Sequence, residues 1–226
     1  MKEGASMKIE HISDTEYTVT DIAVENLKSS RFCVFDFEAT EPNEQEDQIS
    51  QIGAIILEGE TGSVKSKFKK LVKPSKEIPK VIEELTGITN IDVMQAPGFQ
   101  EIFQDFVSFS EGTVLVTQAG YEYDWPLLIN ESKRHNLRML ENKILDTKVL
   151  FTYLYPEINE VISTNFLIDY YSINDSDIKR HDALGDSILI SRIFIEILKE
   201  YARRDIHEIK IEEPMIIKKV QLKKLI

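Results

Sequence analysis

Two acids at the end of an apolar run are the first residues whose types and spacing could do chemistry. In RFCVFDFEAT, Arg31 to Thr40, the segment Phe32 to Phe35 is aromatic and β-branched and carries no charge, so it reads as a strand buried on both faces. Asp36 and Glu38 follow it. Side chains alternate along a strand, so these two point the same way and set two carboxylates side by side at the strand end. Like charges that close are unfavourable unless a proton or a metal lies between them. A hard cation such as Mg²⁺ or Mn²⁺ takes such oxygens as ligands. The competing reading makes Glu38 and the acids that follow (Glu41, Glu44, Glu46, Asp47) a solvated loop.

An α/β sheet gathers ligand sites at strand ends, so further carboxylates are wanted at other element termini. Asp124 qualifies, with Pro126, in the first turn of a helix expected from about Tyr123 to His135. Asp186 qualifies on a long helix expected from about His181 to Tyr201, whose apolar face runs through Leu184, Ile188, Phe194, Ile195 and Leu198. His181 and Asp186 are five residues apart, little more than a turn, so on that helix both would reach a common site at one end.

These residues need a sheet to position them. Ile49 to Leu57 reads as a second strand and Val64 to Val72 as a third, joined by a short turn with two glycines, which implies an antiparallel start. Lys80 to Leu85 reads as a short helix closed by Gly87, and Phe99, Ile102, Phe103, Phe106 and Phe109 form the core face of another. Thr113 to Thr117 and Lys143 to Asp146 supply two more strands, the latter leading into a helix that ends at Pro156; Ser163 to Tyr171 adds a further helix. The outcome is an α/β domain with a mixed five-stranded sheet flanked by helices, over residues 31–204. Residues 1–30 are set aside as an appendage with a short helix around Asp21 to Leu27, and residues 205–226 as a lysine-containing tail. Lys65, Lys67 and Lys69 share a face of the third strand, where lysines guard an exposed edge against pairing or, alternatively, meet nucleic acid. Lys218, Lys219, Lys223 and Lys224 of the tail are open to either reading.

Composition bounds the function. A net charge of −12 excludes broad electrostatic coating of nucleic acid, although carboxylate-bound metals would reverse the sign locally and admit one or two phosphates. No apolar run is long enough to span a bilayer and the first residues lack a signal-peptide core, so no membrane association and a cytoplasmic location are expected. The single cysteine, Cys33, falls in the first buried strand as a small core residue.

Taken in order, DFEAT (Asp36 to Thr40), LTGIT (Leu85 to Thr89), YEYD (Tyr121 to Asp124), ILDTKVLFTYLYP (Ile144 to Pro156) and HDALGD (His181 to Asp186) resemble the DEDDh 3′-5′ exonucleases, RNase H-like enzymes that hydrolyse nucleotides from 3′ ends. The resemblance covers residues 31 to 200. By position it implies that Asp36, Glu38, Asp124 and Asp186 are the metal-binding acids and His181 the general base. It implies two divalent ions, Mg²⁺ or Mn²⁺, per active site, and single-stranded RNA or DNA 3′ ends as partners. Two metals about 3.5–4 Å apart stabilise the attacking and leaving oxygens of an in-line displacement, and an imidazole, with an ordinary pKa of about 6.5, suits proton removal from water.

There are departures from the family pattern. Ala119, Gly120 and Tyr121 stand where many members have a His-Asn-Ala run, and Ala39 stands in place of a frequent threonine. These positions bear on substrate, for which Ala39 and Phe37 are the candidate contacts; Phe37, between the acids but on the opposite face, reads first as core. The spelling DFEAT is similar to the branch containing the ERI-1 and histone-mRNA exonucleases and the KapD proteins, which favours RNA. Two other classes are consistent with part of the pattern. Haloacid dehalogenase-like phosphatases also run an apolar strand into two acids, but they have no use for HDALGD. A catalytically silent exonuclease fold could serve as a binding module.

Overall fold

A computed structural model describes residues 7–41 and 46–220; Glu44, Lys223 and Lys224 lie outside the described residues. The chain opens with three short strands, β1 (Lys8–His11), β2 (Glu16–Thr20) and β3 (Ile22–Val24). The helix expected around Asp21 to Leu27 is not formed. Ile22 and Val24 are buried on either side of exposed Ala23, a period of two that suits long-range strand pairing better than a helical turn.

Next come β4 (Arg31–Ala39), β5 (Ile49–Glu58) and β6 (Val64–Leu71), the antiparallel start read from the sequence. The helices α1 (Lys80–Thr86), α2 (Asn90–Val93) and α3 (Phe99–Phe109) lead to β7 (Val114–Thr117). Gly87 closes α1 in the left-handed region at φ 74°, where the absence of a Cβ matters. The four-residue α2 was not anticipated; Thr89 and Asp92 start it through a reciprocal capping box. Helix α4 (Asp124–Arg134), strand β8 (Ile144–Asp146), and helices α5 (Thr147–Leu154), α6 (Thr164–Tyr171) and α7 (Ala183–Arg203) complete the body.

The central sheet has five strands in the order β6-β5-β4-β7-β8; β5 pairs antiparallel with both β4 and β6, while β7 pairs parallel with β4 and β8 parallel with β7. Strand alternation divides the aromatic residues of β4 between two layers. Phe32 stacks edge-on against Phe194 of α7, centroids 4.8 Å apart. Phe35 and Phe37 meet Phe106 of α3 on the other face, at 5.8 and 6.1 Å. Even-numbered residues of β4 thus face α7 and odd-numbered ones face α3. Each buried aromatic contributes about 1.5–3 kcal/mol of burial, which ties both helices to one strand. Phe37 is 5% exposed with its ring 5.1 Å from that of Phe35, so most of its side chain packs into the α3 core, while the residue also lines the cleft that holds the acids.

The two ends of the chain then meet. Strands β9 (Ile209–Ile211) and β10 (Met215–Lys218) pair antiparallel with β3 and β2 respectively, and β1-β2-β10 forms a small three-stranded sheet. Tyr17, Val19, Ile209 and Ile217 belong to the same buried cluster as the central sheet. Among the described residues, no helix is long and apolar enough to cross a membrane.

Candidate active site

The site begins with a row across three strands. Asp36 of β4 pairs with Gly53 of β5, which pairs with Lys69 of β6, and all three lie beneath the start of α7. A Cβ built on Gly53 would come within 2.1 Å of the backbone carbon of Ala183, so only glycine lets the helix sit this close to the sheet. Ser187 Oγ donates to Gly53 O at 2.9 Å, Ala183 N–H to Gln51 Oε1 at 2.9 Å, and Lys69 pairs with Asp182, the N-cap of α7. Lys65 and Lys67 are exposed on the sheet edge, which both readings of them allow; Lys69 also pairs with the helix start.

Seating α7 this way brings Asp186, in its first turn, over the even-numbered face of β4. Carboxylate oxygens of Asp36, Glu38 and Asp186 all lie within 4.8 Å of one another. Glu38 is buried; Asp36 and Asp186 are half-buried. Asp186 accepts from Arg180 Nε at 2.9 Å and from the backbone N–H of His181 at 2.6 Å.

Asp124 comes from the other side of the sheet centre. It opens α4, is 6% exposed, and its Oδ2 accepts from Thr117 Oγ1 at the end of β7, 2.9 Å away. Asp124 and His181 line the same cleft as the three clustered acids, a cavity of about 660 Å³, without joining the 4.8 Å group. Ala39 lines it too.

His181 is not on the helix. It precedes the N-cap with φ 56°, because the Asp182 side chain accepts from Gly185 N–H and starts the helix after it. The turn argued from a five-residue helical spacing is therefore replaced by a left-handed residue whose N–H is clasped by Asp186. Ala119, at φ 55°, is a second left-handed non-glycine residue on the cleft. Each such residue costs about 1–2 kcal/mol, so both are held by their surroundings.

Burial and mutual repulsion set the electrostatics. Loss of hydration lifts Asp36 well above the carboxylate range, with Asp124, Asp186 and Glu38 adding to the shift and Arg180 opposing it. Glu38 rises to about 8 through burial and then the charges of Asp186 and Asp124. Asp124 rises to about 7, again mainly by burial, against the Thr117 hydrogen bond that lowers it. Acids so placed hold protons at neutral pH or release them to a cation. The donor set is all carboxylate oxygen, which fits a hard divalent ion.

Sequence reasoning assigned no role to several residues that build this centre. Asp146 is buried at the end of β8 and accepts from the N–H groups of Ala119 (3.0 Å), Tyr121 (3.1 Å) and Lys148 (2.9 Å), fixing the loop that leads to Asp124. Burial raises it to about 6 despite those bonds. Gly120 lies against Thr117, where a Cβ would meet Oγ1 at 2.2 Å. Lys148, fully buried, pairs with Glu122. The glycine inside the apolar run ISQIGAIIL was the one local signal available, since such a glycine marks a close backbone approach.

A mixed sheet with acids at the exit of its central strand and a helix start laid over them defines an RNase H-like exonuclease fold. Solved structures share it. The nuclease domain of 3′hExo, a DEDDh family member, bound to rAMP, is 22% identical with a TM-score of 0.69, covering 83% of this chain and 98% of that one. E. coli Exonuclease I in complex with a dT13 oligonucleotide is 17% identical, TM-score 0.63, covering 78% of this chain and 43% of that one. The exonuclease family RNase_T matches residues 33–194. The chain belongs to this exonuclease family, whose members are hydrolytic enzymes, and it shares its fold with the DEDDh member 3′hExo.

Curated relatives are similar to this chain over most of its length. DNA polymerase III subunit epsilon of Aquifex aeolicus is 29% identical over 176 residues, covering 78% of this chain and 84% of that protein. The PolC-type DNA polymerase III of Clostridium perfringens is 29% identical over 196 residues, covering 86% of this chain but only 13% of that protein. The 3′-5′ exonuclease DinG of Bacillus subtilis is 27% identical over 175 residues, 77% of this chain and 18% of that protein.

Proposed function

We propose that this chain removes 5′-mononucleotides from the 3′ end of single-stranded nucleic acid, RNA in preference to DNA, with two divalent ions, Mg²⁺ or Mn²⁺, and a histidine base. Asp36, Glu38, Asp124 and Asp186 would hold the ions through their oxygens. When bound, the ions supply charge stabilisation to the attacking and leaving oxygens. His181 accepts a proton from water as the water oxygen bonds to phosphorus. The bond from phosphorus to the 3′ oxygen of the preceding nucleotide breaks with its electron pair on that oxygen, which takes a proton from solvent water while His181 returns its own to solvent, leaving a nucleoside 5′-monophosphate and a shortened strand with a free 3′ hydroxyl. Arg180 and the His181 N–H orient Asp186, and Thr117 orients Asp124.

The observation that carries this reading is the convergence of three carboxylates within 4.8 Å in a cleft that Asp124 and His181 also line. The preference for RNA rests on the DFEAT resemblance; the relatives named for DNA polymerases point toward DNA. End-labelled single-stranded RNA and DNA of equal sequence, with 3′ ends free or blocked, supplied with Mg²⁺ or Mn²⁺, test all of it. Release of 5′-mononucleotides only from free 3′ ends, faster from RNA, is expected. Cleavage of blocked strands, or no turnover with either ion, overturns the exonuclease reading; faster DNA hydrolysis overturns the substrate preference.

A further inference from the structure

The sheet made by the two chain ends reaches the same cleft. His11 at the end of β1, and Lys219 and Val220 just after β10, line the cavity that holds Asp36, Glu38, Asp124 and Asp186. All three lie outside residues 33–194, the stretch shared with the exonuclease family. We propose that this terminal sheet is a binding wall for the phosphodiester backbone of the strand leading into the cleft, with Lys219 as its phosphate ligand and His11 beside it. The inference rests on the exonuclease reading and adds to it a determinant of substrate length.

Charge is the first argument. Among the described residues the cleft lining carries six carboxylates, Asp36, Glu38, Glu41, Glu122, Asp124 and Asp186, and a polyanion needs cations there. Of these, Glu41 is paired with Lys76 and Glu122 with Lys148. Among the described residues the lining has two Lys or Arg side chains, Arg180 and Lys219. The Arg180 guanidinium is taken by Asp186 at 2.9 Å and Asn165 at 3.3 Å. Lys219 pairs with no carboxylate among the described residues. Its ammonium gives one hydrogen bond to Ser13 O at 2.8 Å, leaving two of its three donors for a ligand.

Rigidity is the second. Lys219 N–H donates to Thr15 O and Val220 N–H to Glu122 Oε2, both at 2.8 Å, and Glu122 is anchored by fully buried Lys148. Lys219 therefore reaches across the turn between β1 and β2 from a backbone fixed on both sides. That turn follows directly on His11, which is paired with buried Tyr17 in the sheet register. A cation so placed needs little reordering to meet a phosphate, which is how preorganisation strengthens binding.

The test uses the full chain and two substrates: a single-stranded oligonucleotide, and a nitrophenyl ester of a nucleoside 5′-monophosphate, which has no upstream nucleotides to meet the wall. Lys219→Ala should lower the ratio of kcat/KM for the oligonucleotide to that for the ester by about tenfold, the loss of one good charge contact. The loss should fall on KM more than on kcat. The slope of log KM against log salt should become shallower by about 0.7, one single-strand phosphate contact. Lys219→Gln keeps a donor for Ser13 O without the charge and should lose the ratio as Lys219→Ala does, while Lys219→Arg should restore it. An unaltered ratio in both Lys219→Ala and Lys219→Gln, with ester hydrolysis intact in wild type, overturns the wall alone. So does a wild-type ratio in Lys219→Gln with a loss only in Lys219→Ala, since Lys219 would then serve only to pin the turn. Failure of wild type on both substrates overturns the exonuclease reading, and this inference with it.

Discussion

Replacing the His181 imidazole is the sharpest test at the scale of single residues, and the backbone decides which replacement is clean. At φ 56° an alanine is strained, whereas asparagine tolerates this region. His181→Asn should therefore lower kcat by about 10²–10⁴-fold, the usual range for a positioned base, with melting temperature and divalent-ion binding close to wild type. Equal activity in that variant sinks the base assignment. Asp186→Asn should act differently. It removes the negative charge and turns one of the two oxygens, which accept from Arg180 Nε and from the His181 N–H, into an NH₂ donor; if Asp186 holds an ion as proposed, calorimetric titration with Mn²⁺ should show weakened binding. The four candidate acids and the candidate histidine, which the structure brings to one cleft, could be picked out in the sequence because each sits in a short motif with a strand or helix boundary beside it. Asp146 and Thr117 were not, because their roles are to hold other groups, and that is defined only once β7, β8 and α4 are brought together.

At the scale of elements, the approach of α7 to β5 is the joint on which the site turns. Gly53→Ala places a methyl inside the backbone of Ala183, and the helix start must shift to relieve it. A stability loss of about 1–3 kcal/mol, the range for overpacking, should accompany a fall in activity, because Asp186 moves with the helix. Thermal melting beside kcat/KM checks this, and a stable, fully active Gly53→Ala would mean that the joint relaxes elsewhere. Elements governed by local pattern were legible: the buried β4, the aromatic face of α3 and the alternation of β6 appear where periodicity puts them. Two were not. The short run Ile22 to Val24 is a strand only because Ile209 to Ile211 pairs with it from the far end of the chain. The start of α7 was placed two residues early because HDALGD offers two polar starts, and the Asp182 cap bond to Gly185 selects the later one.

The whole molecule carries the electrostatic consequence of burying acids together. Asp36 well above its ordinary range, Glu38 at about 8 and Asp124 at about 7 mean that the folded chain keeps protons which the unfolded chain releases near pH 4. For a raised carboxylate pKa, the contribution to stability is fully present below the unfolded value and is lost as pH rises through the folded one. The metal-free protein should therefore lose stability between about pH 4 and pH 8 from this cluster. Asp177, held at about 2 by Arg192, works in the opposite sense but below that window. Melting curves in chelator at both ends of the window should show the decline in wild type and a shallower one in Glu38→Gln. Equal slopes would show that the cluster does not govern it. Saturating Mn²⁺ at about a hundred times its Kd should return about 2.7 kcal/mol at the alkaline end, by binding the folded form alone.

The pairing of the first strands with the last has a consequence during synthesis. Val24 leaves the ribosome roughly 190 residues before Ile209, its partner in register, which at ordinary elongation rates is a wait of about 10–40 s. The body of the sheet can assemble in that interval, since β4 to β8 pair only among themselves. The small strands close over it only once Ile209 to Lys218 have emerged, so the Lys219 side of the cleft is completed after the central sheet.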